Sequence, residues 1–68
     1  MITFTYTTRR DAIQEIESRL GKEGSREIAE RMFNEARISG WAATDGNDVL
    51  TFTVSQAQWD SLLMDAAL

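Results

Sequence analysis

Apolar and hydroxyl side chains alternate where the chain opens, with Ile2, Phe4 and Tyr6 separated by Thr3, Thr5 and Thr7. A period of two built from β-branched and aromatic residues predicts a strand over residues 2–7, one face apolar and the other threonine. Thr8 then offers its hydroxyl as an N-cap, and Asp11 completes capping-box spacing, so a helix is expected to begin there although Arg9 and Arg10 oppose its dipole. In "RRDAIQEIESRLG", Ala12, Ile13, Ile16 and Leu20 recur at helical spacing, and Gly21 stands where a helix ends in the left-handed conformation.

After the link "KEG", Ser25 is the next N-cap, and Ile28, Ala29, Met32, Phe33 and Ala36 form the apolar stripe of a second helix. Gly40 stops it, with Trp41 placed to fold back over Ala36 as the hydrophobic contact of a Schellman motif. "WAATDGNDVLTFTVS" reads as a hairpin turning on Asp45, Gly46, Asn47 and Asp48. Its second strand, "LTFTVSQ", echoes the opening "ITFTYTT": Leu50, Phe52 and Val54 take one face, Val49, Thr51 and Thr53 the other. Ser55 and Gln58 have capping-box spacing, Val54 is set to staple onto Trp59, and Trp59, Leu62, Leu63 and Ala66 give the last helix its buried side.

The predicted order is β-α-α-β-β-α, an α+β fold in which helices cover one face of a three-stranded sheet and residues 1–68 form one domain. The third strand is the most apolar and is expected at the centre. Whether the first strand pairs with the third or with the second is left open by the pattern. In either case the opposite face would present Thr3, Thr5, Thr7, Thr51 and Thr53, which suits a solvated sheet face. An unprotected edge of this character also leaves a homodimer or strand addition by another chain open.

Composition narrows the function. A chain of 68 residues must commit most of its apolar side chains to one core, with little left for a deep pocket. No apolar run approaches the length of a membrane span, and no secretory signal follows Met1, so the expected location is the cytoplasm. The chain contains neither cysteine nor histidine, which removes disulfides, thiolate chemistry and the commonest general base and zinc ligand. Catalysis, a metal site and a cofactor are therefore not expected.

Two constellations invite chemistry and have plainer explanations. Asp45, Asn47 and Asp48 could open a calcium loop, but the positions that need a further oxygen, a glycine and a final glutamate hold Val49, Leu50 and Gln56, so a hairpin turn is the better reading. Paired carboxylates are plentiful, yet Glu15 and Arg19, Arg26 and Glu30, Glu27 and Arg31, and Arg31 and Glu35 are four apart, the arrangement of a solvated helix face.

Charge is unevenly spread. The net charge is −4, and beyond Arg37 the chain carries Asp45, Asp48, Asp60 and Asp65 with no basic residue. Such a field repels a nucleic-acid backbone and attracts a basic protein surface. The candidate partner-binding residues are Asp45 and Asp48 on the hairpin tip, Asp60 and Asp65 on the last helix, and Glu23, Glu27 and Glu30 around the second. Two helices followed by a hairpin also suggest part of a winged-helix arrangement, in which Arg9, Arg10, Lys22, Arg26 and Arg37 could face DNA. A wing tip bearing two aspartates argues against it.

The opening "MITFTYTTRRDAIQEI" resembles the start of many small proteins of phages and mobile elements. In size, acidity and lack of catalytic motifs the whole chain resembles the anti-CRISPR class of phage inhibitors, which shares no single fold. The resemblance implies a non-enzymatic protein of the host-cell cytoplasm that covers the basic surface of a nucleic-acid-binding effector such as a CRISPR complex, and it assigns no binding residue. The alternatives are a small DNA-binding regulator or antitoxin-like module acting through its arginines, and a virion accessory protein.

Overall fold

The computed structural model describes residues 1–21, 24–44 and 49–67. In chain order these form β1 (Ile2–Tyr6), α1 (Arg9–Leu20), α2 (Arg26–Ile38), β2 (Ala42–Thr44), β3 (Leu50–Val54) and α3 (Gln56–Ala67). The sheet is antiparallel with strand order β1-β3-β2, so the most apolar strand is central and β1 pairs with it. Register sets Ile2 opposite Val54, Phe4 opposite Phe52 and Tyr6 opposite Leu50 on the helix-covered face. Thr3 opposite Thr53 and Thr5 opposite Thr51 lie on the other face.

Each helix starts where a side chain satisfies orphan backbone donors. Thr8 Oγ1 accepts from the Asp11 amide, and Ser25 Oγ accepts from the Ile28 amide, at 3.2 Å each. At α3 the box is reciprocal: Ser55 Oγ accepts from the Gln58 amide at 3.1 Å, while the Ser55 amide donates to Gln58 Oε1 at 2.7 Å. The box expected at α1 is half-formed. The Asp11 carboxylate accepts from the Thr7 hydroxyl at 3.2 Å, because Asp11 is a methylene shorter than a glutamate and Thr7 provides a nearer donor.

The end of α2 is the Schellman motif that the pattern predicts. The Trp41 amide reaches the Ala36 carbonyl at 2.9 Å, the Gly40 amide reaches the Arg37 carbonyl at 3.1 Å, and Gly40 has φ 81°. Gly21 differs from the expected left-handed stop. Its φ of 68° is paired with ψ −142°, an extended mirror-image conformation open essentially to glycine, which turns the chain into the link toward α2. Gly24 is required by close approach, since a Cβ there would collide with the Leu20 side chain.

The core lies between the three helices and one sheet face, with Phe52, Ile13, Ile16, Met32 and Val54 its largest fully buried side chains. Aromatic rings run through it in sequence. Phe33 meets Tyr6 edge-on at 5.6 Å, Phe4 stacks on Phe52 at 4.7 Å, and Phe52 meets Trp59 edge-on at 6.3 Å. Val54 and Trp59 are both buried in this cluster, consistent with the predicted staple.

Candidate protein-docking surface

The three helices carry fourteen charged side chains, and six of them are matched in pairs along α1 and α2. Arg19 pairs with Glu15 at 3.1 Å, Arg26 with Glu30 at 3.8 Å and Arg31 with Glu27 at 2.7 Å, all between neighbouring turns of one helix. Pairs this exposed add a few tenths of a kcal/mol each and mainly neutralise the helix surface. The spacing of Arg31 and Glu35 suggests a fourth pair, but Arg31 is engaged elsewhere. Its Nη1 donates to the Ala66 carbonyl at 3.0 Å, so a side chain of α2 caps the C-terminal turn of α3.

Two further arginines lie over aromatic rings. The Arg9 guanidinium is 5.9 Å from the Phe33 ring centroid and donates to Asn34 Oδ1 at 3.2 Å, tying the start of α1 to α2. The Arg19 guanidinium lies 5.4 Å from the Phe4 centroid. Arg26 and Arg37 stand at opposite ends of α2, about 16 Å apart along its axis. Of the arginines considered for a DNA-facing patch, Arg26 is thus remote from Arg37, whereas Arg9 reaches Asn34, one turn before Arg37, and Lys22 lies outside the described residues.

Of the seven acidic candidates, Glu23, Asp45 and Asp48 also lie outside the described residues, as does the calcium-loop reading of the hairpin tip. Glu27 and Glu30 are the partners of Arg31 and Arg26. Asp60 and Asp65 differ from these, because α3 carries no basic residue and, among the described residues, neither aspartate has an ionic partner. Asp60 accepts from the Gln56 side-chain amide at 3.0 Å. Asp65 borders a depression of about 210 Å³ with Arg31, Asn34, Glu35 and Ala66, smaller than the pockets that hold metabolites. Five residues separate the two aspartates, which places them about 140° apart around the helix. The acidic candidates are thus not gathered into one patch.

Between them, on the outer face of α3, Met64 is 68% exposed. The sequence reading passed over this residue, although its place opposite the stripe of Trp59, Leu62 and Ala66 is a signal that helical spacing supplies. An exposed thioether flanked by unpaired carboxylates gives α3 an apolar contact point inside a negative field. Among the described residues, no group of three or more carboxylates is arranged to hold a metal ion.

Burial raises the pKa of the Tyr6 phenol above its ordinary value, partly offset by the positive charge of Arg37. Tyr6 belongs to the core and not to the exposed face of α3. No helix among the described residues is long and apolar enough to cross a membrane. No family model matches the chain, and no curated protein or solved structure matches it.

Proposed function

We propose that the protein is a non-enzymatic inhibitor of the anti-CRISPR kind. It acts in the cytoplasm of a host cell, where it seats the outer face of α3 on the basic surface of a nucleic-acid-binding effector. The observation that carries this reading is the contrast in charge between helices: α1 and α2 each carry three basic and three acidic side chains, whereas α3 carries Asp60 and Asp65 with no basic residue. Carboxylates without an ionic partner steer a basic partner. Met64 adds an apolar contact at the centre of that face.

The arginines favour a protein partner over DNA. Of the arginines considered for DNA, Arg9 and Arg26 are already engaged with Asn34 and Glu30, and phosphate binding would have to break those contacts.

The test is a titration of the protein into purified CRISPR effector complexes, reading target-DNA binding and cleavage. The expected result is inhibition that the double variant Asp60→Lys with Asp65→Lys weakens tenfold or more, and that fades as salt rises past about 0.3 M, where the Debye length shrinks to a few ångströms. Charge reversal at Glu27 and Glu30 should matter less. An unchanged potency of the Asp60 and Asp65 variant, or no inhibition of any effector by the wild-type chain, removes the proposal.

A further inference from the structure

The depression of about 210 Å³ between α2 and α3 is lined by charge that the fold leaves open. Glu35 enters its wall from α2 and Asp65 from α3, and among the described residues neither carboxylate has an ionic partner. For Glu35 the cause is visible. Arg31 lines the same depression one turn earlier on α2, at the spacing that pairs Arg31 with Glu27, yet its guanidinium is drawn away by two bonds. Nη2 reaches Glu27 at 2.7 Å and Nη1 reaches the Ala66 carbonyl at 3.0 Å. Arg31 thus offsets Glu27 and caps α3, and Glu35 is left bare.

Helix electrostatics disfavour both acids where they stand. Asp65 lies in the last turn of α3, at the negative end of the dipole with no basic residue to offset it, and Glu35 opens the last turn of α2. Residues that break a local rule without serving the fold mark functional positions. Size and ligand number then narrow the occupant. The volume falls below the roughly 300 Å³ at which small-molecule pockets begin, so it admits a single side chain. Among the described residues no group of three or more potential ligands is placed to hold a metal ion, so the cation that fits is organic.

We infer that this depression receives one arginine side chain from the basic surface of the partner, an inference that rests on the docking proposed above and adds Glu35 of α2 to the contact. Charge complementarity selects a cation, since Arg31 is already balanced by Glu27 and the two free carboxylates set the sign. Geometry selects arginine. Carboxylates approaching from two helices suit a planar fork with five donors, which can bond both at once, better than the compact and strongly hydrated ammonium of lysine. Surfaces that hold nucleic-acid phosphates supply such arginines. Asp65 belongs to both the depression and α3, so one basic surface can engage them together.

The depression can be tested without an effector, by amide NMR during titration with the peptide acetyl-Gly-Arg-Gly-amide. The expected result is a saturable shift confined to the Asn34 side-chain amide and the backbone amides of Glu35, Asp65 and Ala66, with a dissociation constant on the order of 10 mM. The lysine peptide should bind at least threefold more weakly, and the citrulline peptide, a neutral isostere of arginine, should not saturate. Glu35→Gln with Asp65→Asn should weaken the arginine peptide tenfold and melt no lower than the wild type, because neither acid serves the fold. In the effector titration, Glu35→Gln alone should reduce inhibition about fivefold. Equal binding of the citrulline peptide, equal shifts at Glu15, undiminished binding by the double variant or its loss of stability would overturn the inference. Peptide binding without inhibition of any effector removes the proposed function and keeps the arginine site, whereas inhibition indifferent to Glu35→Gln removes the site from the docking contact and keeps the function.

Discussion

The molecule contains the same local design twice, and the two copies fare differently. "ITFTYTT" and "LTFTVSQ" each build a two-faced strand that leads into a capped amphipathic helix. In the second unit β3 is central, Phe52 is fully buried, Ser55 and Gln58 close a reciprocal box, and Val54 and Trp59 are both in the core. In the first unit β1 is an edge, Phe4 and Ile2 are half-buried, and one extra residue, Thr7, stands between strand and cap and takes the Asp11 carboxylate. Equal local propensity thus yields unequal burial, because position in the sheet decides how many neighbours each side chain meets. The unit that anchors the core also carries α3, the helix proposed to dock.

The most severe way to probe this asymmetry is to truncate the paired phenylalanines. Phe52→Ala should cost about 3–5 kcal/mol, which a chain of this size barely survives, whereas Phe4→Ala should cost about half as much because its ring is only half-buried and partly covered by Arg19. Urea denaturation of both variants checks the ratio, and equal losses would refute the distinction. Next come the caps. Ser55→Ala should destabilise by about 1 kcal/mol, as Thr8→Ala should, since each removes one side-chain acceptor, whereas Ser55→Ala combined with Gln58→Ala removes both bonds of the reciprocal box and should exceed either in the same urea denaturation.

The smallest effect separates Tyr6 from Val54, the residues at matching positions of the echo. The folded state holds the Tyr6 phenol neutral beyond its ordinary pKa, so the unfolded chain ionises first as pH rises. Stability linked to Tyr6 should be fully present below about pH 10 and decline above it until the folded phenol also ionises. Tyr6→Phe should remove that part of the alkaline loss, which thermal melts between neutral and strongly alkaline pH would reveal.

Much of the fold is legible because its signals are local. Alternating threonines, the Ser55 and Gln58 box, and Gly40 followed by Trp41 each encode a strand, a start and a stop within a few residues. The pairing of β1 with β3 is a long-range choice that alternation leaves open, and the conformation of Gly21 depends on how the following link packs Gly24 against Leu20. The proposed docking surface is legible only in part. Asp60 and Asp65 stand out by the absence of basic residues after Arg37, and their separation around α3 follows from helical spacing, but the capture of Arg31 by the Ala66 carbonyl arises from helix packing that no spacing rule states. Met64 was visible on the helix face and was overlooked because an apolar residue is ordinarily assigned to the core.

Residue-resolved amide hydrogen exchange tests the central claim most directly, since it measures the two echoed units in one experiment under native conditions. The account predicts that the amides of Phe52, Thr53 and Val54 exchange only through global unfolding and share the highest protection in the molecule. The amides along β1 should include weakly protected positions on its free edge, and α1 should open before α3. Equal protection along β1 and β3, or an α3 that exchanges faster than α1, would contradict it.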